Sequence, residues 1–172
     1  ILQQSGAHII HCPESNLKLA SGFCPVDKLL TADVNVALGT DGAASNNDLD
    51  LFSELKTAAL LAKAVSGNAA AMEAHTALRM ATLNGAKALG IDHLVGSLEV
   101  GKHADIIAIH LGDLDLQPLY NIASQLIYTN VGHRVSHAWV KGKCLMQNRE
   151  LLTINERELK SKVRTWQEKI QN

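Results

Sequence analysis

The sequence is poor in aromatic side chains and carries no excess of either charge. Aromatic residues make up 3% of its 172 residues and hydrophobic residues 47%, so a core must be built from Ala, Leu, Val and Ile. Sixteen Lys and Arg residues stand against 17 Asp and Glu residues, which leaves a formal net charge of −1. Neither a nucleic acid nor an anionic membrane surface is therefore expected as a partner.

Cysteines are few, and long apolar runs are missing. The three cysteines, Cys12, Cys24 and Cys144, include no C-x-x-C pair. This argues against a disulfide framework or a zinc ribbon and favours a reducing compartment, the cytoplasm. No apolar run is long enough to cross a bilayer. The first residues, "ILQQSGAHII", lack an initiator Met and the basic region of a signal peptide, so we expect a chain that is cut inside a fold.

The first third of the sequence has the pattern of a βαβ unit. Two short apolar runs, "AHIIHC" (7–12) and "VNVALG" (34–39), are bounded by Gly or Pro and are typical of buried strands. Between them the pattern predicts a loop over 13–25 and a short helix over 25–31. Strands joined in this way pair in parallel, with a right-handed crossover.

Two Ala-rich helices are predicted next, over about 49–66 and 76–89. Asp48 is the candidate N-cap of the first helix, where Asp50 and Glu54 would lie near its positive end. Thr76 is the candidate N-cap of the second helix, and Gly90 would end it.

The pattern changes near residues 92–96 and becomes richer in strands. The sequence predicts a strand over 104–110, a helix over 119–128, and two strands around the turn formed by Lys141, Gly142 and Lys143. A C-terminal helix follows, with Asn155 and Glu158 in a capping-box arrangement. Its apolar side consists of Leu159, Val163, Trp166 and Ile170.

Asp41 is the candidate functional residue. It lies in "GTDGAASNND" (39–48), directly after the second predicted strand. Asp-Gly is a common turn dipeptide, so a purely structural turn is one interpretation. The other is a site, because active groups of parallel α/β barrels sit where strands end. A carboxylate there can bind a divalent cation or accept a proton.

Longer stretches resemble a known family. "HCPESNLKLASGFCPVDKLL" and "VNVALGTDGAASNNDLDLFSELKTAALLAK" are similar to the amidohydrolase superfamily. The resemblance is to its triazine-hydrolase-like branch of deaminases, which act on S-adenosylhomocysteine and 5'-methylthioadenosine. "GSLEVGKHADIIAI" and "HAWVKGKCLM" resemble the C-terminal strands of that family.

The resemblance implies an α/β fold that is only part of an enzyme. Family members are (βα)8 TIM barrels with a small β-sandwich, and this chain would supply the last two barrel strands, the following helices and the C-terminal part of the sandwich. The implied boundaries are 1–93 for the barrel portion, 94–152 for the sandwich portion and 153–172 for a C-terminal helix. A barrel needs roughly 250 residues. We therefore expect a fragment that depends on the N-terminal remainder of the enzyme, which is also expected to be a homo-oligomer.

The resemblance also implies a reaction, hydrolytic deamination of an adenine-type nucleoside. The aspartate of the eighth barrel strand matches Asp41, which would serve as metal ligand, catalytic residue and substrate contact. A divalent metal, Zn²⁺, would activate water for attack on C6 of adenine, Asp41 would take the proton, and ammonia would leave. The other ligands are absent from this chain, so the fragment is not expected to retain the metal. Two roles stay open for His11, Ser15 and Asn16: they could line the substrate cavity, or they could fix the loop.

Two alternatives stay open at this point. The same fold could act on guanine, cytosine or a chlorinated triazine, because the residues that choose the substrate lie upstream. The chain could also be a non-catalytic assembly module, because one aspartate cannot hold a zinc ion that usually needs three protein ligands.

Overall fold

The βαβ unit predicted at the start of the chain is present in the computed structural model, which describes residues 1–171. Strands β1 (Ile9–His11) and β2 (Val36–Leu38) pair in parallel. The connection between them contains helices α2 (Pro13–Lys18) and α3 (Val26–Thr31). The two strands, their parallel pairing and the short helix between them are confirmed, although each strand is shorter than its apolar run.

Helix α2 corrects one prediction. The pattern predicts a loop over 13–25, because proline usually interrupts regular structure. Pro13 instead occupies the start of the helix, where a missing N–H costs no hydrogen bond and a fixed φ favours the helix. Glu14 follows in the first turn, where a negative charge is favourable. The predicted loop is therefore wrong for the six residues of α2.

Helix α4 (Leu51–Ser66) confirms the first predicted Ala-rich helix and corrects its cap. The cap is Asp50, whose Oδ1 accepts a hydrogen bond from the N–H of Phe52 at 2.8 Å. Asp48 lies two residues before it, and its Oδ1 accepts from the N–H of Asp50 at 3.2 Å. The helix thus begins two residues later than the pattern predicts, inside a run where several acidic residues could have capped it.

The second predicted Ala-rich helix, 76–89, is two helices in the structure. They are α5 (Ala74–Ala81) and α6 (Leu83–Ala88), separated by Thr82 with φ −127° and ψ −93°. Thr76 lies inside α5 and is not a cap, so that prediction is wrong. The apolar spacing of the sequence continues across Thr82, so it does not reveal that the helix is interrupted there.

The first structural unit comprises residues 1–102 and 111–133. Besides the elements above it contains α1 (Leu2–Ser5), a 3₁₀ turn (Leu114–Leu116) and α7 (Ile122–Tyr128). Helix α4 contacts β2, α2, α3, α5 and α7 and so lies at the centre of this unit. The core residues are small or unbranched for the most part: Val26, Val36, Leu38, Leu55, Ala58, Ala59, Ala62, Met72, Ala77, Met80 and Ile127.

The second unit comprises residues 103–110 and the chain from 134 onward. Its antiparallel sheet has the strand order β3-β4-β5-β6. The strands are β3 (Ile106–Ile109), β4 (Val135–Val140), β5 (Lys143–Gln147) and β6 (Glu150–Leu151). The predicted strand over 104–110 and the two strands around the lysine-glycine turn are confirmed, and β6 was not predicted.

The chain ends in helix α8 (Glu156–Gln171), which confirms the predicted C-terminal helix; Asn172 lies outside the described residues. Its cap is Asn155, whose Oδ1 accepts from the N–H of Glu158 at 3.1 Å. No residue of α8 is buried. Within residues 1–171, none of the helices combines the length and the apolar character needed to span a membrane.

Candidate functional site at the end of strand β2

Asp41 follows strand β2 in a loop that leaves the sheet close to β1. Its backbone has φ +62°, in the left-handed region that Asp adopts more readily than most residues. A Cβ atom added to Gly39 would lie 3.0 Å from Cγ2 of Ile10 and 3.3 Å from Sγ of Cys12. Glycine at position 39 therefore lets the chain pass against β1 before it turns outward at Asp41.

Two serine hydroxyls hold the carboxylate of Asp41. Ser15 Oγ and Ser45 Oγ each donate to Oδ2 of Asp41 at 2.8 Å. Both serines are buried, whereas Asp41 is exposed. The hydroxyls of Ser45 and Ser15, together with the backbone of Gly42, lower the pKa of Asp41. The group is therefore a fixed, ionised carboxylate at neutral pH.

Helix α2 also holds the loop through a lysine. Lys18 Nζ donates to the carbonyl oxygen of Ala44 at 3.0 Å and to Oδ1 of Asn47 at 2.6 Å. Ser15 and Lys18 lie about one helical turn apart, so one face of α2 contacts the loop at two points. The segment after β1 thus positions the segment after β2.

Glu54 is buried beneath this loop, with an exposed fraction of 0%. Its Oε1 accepts from Nδ2 of Asn46 at 2.6 Å, and its Oε2 accepts from the N–H of Glu14 at 3.1 Å. Burial raises the pKa of Glu54. The pattern predicts only a favourable charge near a helix end. The signal that could have shown more is an acid one turn before the buried Ala58, on the apolar face of α4.

The side chain of Glu14 makes a second, separate contact with α4. Its Oε1 accepts hydrogen bonds from the hydroxyls of Ser53 and Thr57, the latter at 2.8 Å. These bonds join α2 to α4 without involving the loop that carries Asp41. Nothing in the local sequence indicates them, because the partners are about forty residues apart along the chain.

At the end of β1, His11 is buried and Cys12 is half-buried. His11 is 4% exposed, its Nδ1 has no hydrogen-bond partner within residues 1–171, and burial lowers its pKa. Burial raises the pKa of the Cys12 thiol, and the charges of Glu54 and Asp41 raise it further. His11 is therefore neutral and Cys12 protonated at neutral pH, which does not suit a thiolate nucleophile. Of the three residues left open, Ser15 binds Asp41; a role in lining a substrate cavity stays a prediction for all three.

A metal site is incomplete in this part of the chain. Residues 1–171 contain no group of three or more His, Cys, Asp and Glu side chains placed to hold an ion. Asp41 by itself fits as one ligand, because an ionised carboxylate at a strand end is a typical oxygen donor. A zinc site that included Asp41 would need its other ligands from outside these residues.

The sequence model of the Amidohydrolase family matches residues 1–145. The chain belongs to the amidohydrolase family. The matched range contains Asp41, both serines that bind it and the buried Glu54. It also contains β3 and β4, so the family match extends into both structural units.

This amidohydrolase chain is similar to named deaminases. It is 58% identical over 170 residues to the 5-methylthioadenosine/S-adenosylhomocysteine deaminase of Teredinibacter turnerae, which covers 99% of this chain and 38% of that protein. It is 51% identical to an adenosine deaminase of Xanthomonas campestris solved with bound zinc, with a TM-score of 0.96 over 99% of this chain and 39% of that one. The chain thus spans less than half the length of these relatives.

A related hydrolase with another named substrate is also similar. The atrazine chlorohydrolase of Arthrobacter aurescens, solved with zinc, is 30% identical, with a TM-score of 0.88 over 95% of this chain and 36% of that one. The higher identity belongs to the deaminases. The mixed α/β fold is therefore shared by relatives whose substrates differ.

Proposed function

We propose that the chain is the C-terminal part of a longer metal-dependent aminohydrolase that deaminates 5'-methylthioadenosine or S-adenosylhomocysteine. The observation that carries the proposal is an ionised Asp41, held by Ser15 and Ser45 where a parallel strand ends. Active groups of barrel enzymes occupy that position. The similarity to named deaminases supports the adenine nucleoside as substrate.

The proposed architecture is a partial TIM barrel with part of a β-sandwich. Residues 1–93 would be the barrel portion, with β1 and β2 as its last two strands; 94–152 would be the sandwich portion and 153–172 a terminal helix. The parallel pairing of β1 and β2 and the antiparallel sheet of the second unit support this division. Ile10, on β1, is 53% exposed, which supports a sheet face that the remainder of the protein would cover.

The proposed metal is a divalent ion, and zinc is proposed because it is the ion named for the solved relatives. Asp41 would be one of its ligands, and the rest of the longer protein would supply the others. The role proposed for this chain is confined to Asp41, which binds the ion or takes a proton from the attacking water. In the overall reaction, water replaces the amine at C6 of adenine and ammonia leaves.

Asp41→Asn in the full-length protein tests this role. Ammonia release from 5'-methylthioadenosine should fall by about 10²- to 10⁴-fold, the usual contribution of a general base. Asp48→Asn is the matched control, because Asp48 is an exposed acid of the same loop and Asn keeps the Oδ1 acceptor that it uses. Equal activity of wild type and Asp41→Asn would contradict the proposal.

The proposed substrate is tested by comparing the rates at which the protein converts several candidate substrates. Full-length protein should release ammonia from 5'-methylthioadenosine and S-adenosylhomocysteine faster than from guanine or cytosine, and no chloride from atrazine. Preference for guanine, cytosine or atrazine would leave the proposed fold unchanged and would show that the enzyme acts on another substrate. No turnover of any of them, together with no bound zinc, would favour the non-catalytic assembly module.

The dependence on a longer protein is tested with the 172-residue chain itself. Strands β1 and β2 have open edges, and the apolar side chains of Ile10 and Phe23 are more than half exposed, so the chain alone should associate or unfold without cooperativity. Gel filtration with static light scattering measures this and also gives the oligomeric state of the full-length protein, which we expect to be a homo-oligomer. A compact monomer that unfolds cooperatively would contradict the proposal.

Three free cysteines support the proposed cytoplasmic location.

A further inference from the structure

Glu54 joins the two segments that supply the hydroxyl donors of Asp41. One of its carboxylate oxygens accepts from the N–H of Glu14, and the other accepts from the side chain of Asn46. Glu14 directly precedes Ser15, and Asn46 directly follows Ser45. A buried carboxylate is costly unless its hydrogen bonds are made, so both donors are held firmly.

We propose that Glu54 is a positioning residue, which fixes the Asp41 carboxylate for deamination by holding Ser15 and Ser45 in place. The inference rests on the proposed function, because it assigns Glu54 a role in that reaction. Glu54 has no direct contact with Asp41 among the hydrogen bonds of residues 1–171, and it acts through the two serines on Oδ2. Helix α4, at the centre of the first unit, gives it a rigid base.

A neighbouring contact on the same helix offers a matched comparison. Thr57 donates to the side chain of Glu14 and so joins α2 to α4, but it does not reach the loop that carries Ser45. Thr57→Val removes one hydroxyl and leaves the backbone N–H of Glu14 free to bind Glu54. This variant weakens the packing of α2 on α4 without altering the contact of Glu54 with Asn46.

A second substitution, at Asn46, should restore the hydrogen bond that Glu54→Gln loses. Glu54→Gln leaves a single acceptor oxygen at this position, so its amide group must face one of the two donors. Adding Asn46→Asp replaces the facing donor with an acceptor, and the bond between the two side chains forms again in the opposite direction. The carboxylate of Asn46→Asp also keeps the bond that Asn46 Oδ1 accepts from the N–H of Leu49 at 3.1 Å.

The experiment uses the full-length protein loaded with zinc, with 5'-methylthioadenosine as substrate. Glu54→Gln should lower kcat by about 10- to 100-fold with KM within about threefold, because a misplaced catalytic group slows the reaction and leaves binding intact. Glu54→Gln with Asn46→Asp should recover most of this loss. Thr57→Val should lower Tm and leave kcat within about twofold, because Ser53 still donates to the side chain of Glu14 and Asn46 still donates to Glu54.

Hydrogen exchange over residues 41–49 is the readout that does not depend on activity. Its protection should fall in Glu54→Gln and return in the double variant. If Glu54→Gln does not fold, Asn46→Ala removes the same contact from the loop side and should show the same loss of kcat and of protection.

Three results would overturn the inference: an unchanged kcat in Glu54→Gln, a double variant as slow as the single one, or an equal loss in Thr57→Val. A wild-type enzyme that deaminates neither proposed nucleoside contradicts the proposed function instead. In that case hydrogen exchange decides the role of Glu54, and unchanged protection in Glu54→Gln overturns it.

Discussion

Helices α4 and α8 have the same length of 16 residues and opposite surroundings. Helix α4 lies at the centre of the first unit and buries Leu55 to 3% exposure. On α8, Leu159 is 47% exposed and Trp166 is 64% exposed. The apolar and polar side chains of α8 are nevertheless more clearly separated onto two faces than those of α4. Apolar spacing therefore shows which face of a helix can be buried, and it does not show whether anything covers that face.

The largest expected difference comes from truncating one leucine in each helix of the full-length protein. Leu55→Ala should lower the free energy of unfolding by about 2–5 kcal/mol, because it leaves a cavity in the core. Leu159→Ala should cost less than about 0.5 kcal/mol, as is usual at the surface. Urea unfolding measured by circular dichroism gives both values. A comparable loss in Leu159→Ala would show that α8 packs against the remainder of the protein or a second copy.

A smaller difference in stability is expected between substitutions of the N-cap residues of α4 and α8. Asp50→Ala should destabilise the full-length protein by about 1 kcal/mol, because the N–H of Phe52 loses its acceptor in a helix that the core depends on. Asn155→Ala removes the same kind of bond from α8 and should fray that helix with little change in Tm. Thermal unfolding and hydrogen exchange over 156–160 separate the two effects. Equal shifts in Tm would contradict the contrast between the helices.

A pH dependence of stability is expected from the buried acid of α4. Because burial raises the pKa of Glu54, the folded state binds a proton at this carboxyl more tightly than the unfolded state does. The stability that this gives is present below the unfolded pKa of about 4.5 and is lost as pH rises through the folded pKa. Glu54→Gln should lack this loss, as measured by Tm from pH 4 upward. Identical pH profiles of the two proteins would show that Glu54 does not titrate in this way.

The smallest effect is expected from an exposed ion pair of α8. Lys162 Nζ lies 2.7 Å from Oε1 of Glu158, one helical turn away, with both side chains more than half exposed. Glu158→Gln should change the free energy of unfolding by about 0.3–0.5 kcal/mol or less, and added salt should remove the difference. Unfolding at low and high salt measures it. A loss that persists in salt would mean that the pair is covered in the full-length protein.

Local patterns were sufficient for the regular elements. Parallel pairing of β1 with β2, the helix α4 and the β4–β5 hairpin follow from apolar periodicity and from the glycine turn at Gly142. The break at Thr82 was missed because helical apolar spacing continues through it, and two other errors occurred where local rules competed. Pro13 both interrupts strands and starts helices, and several acids could cap α4, so short-range sequence did not choose between them.

The candidate site was predicted only in part. Asp41 stands out because a carboxylate follows an apolar strand between glycines, and the resemblance assigns it a role that stays a proposal. Glu54 and Asn46 could not be found in this way, since the contact of Glu54 with Glu14 spans 40 residues. Contacts between residues this far apart form only when α2 packs against α4, and local sequence patterns do not predict that packing.

The sequence by itself determined the order of strands and helices, the family, and the position of one carboxylate at the end of a strand, because each depends on neighbouring residues. Tertiary structure alone decided that two serines hold this carboxylate and that a buried glutamate lies beneath them. It also decided that α4 is covered while α8 is not. Hydrogen-bond partners and burial depend on segments that meet only when the chain folds, and periodicity contains no information about them.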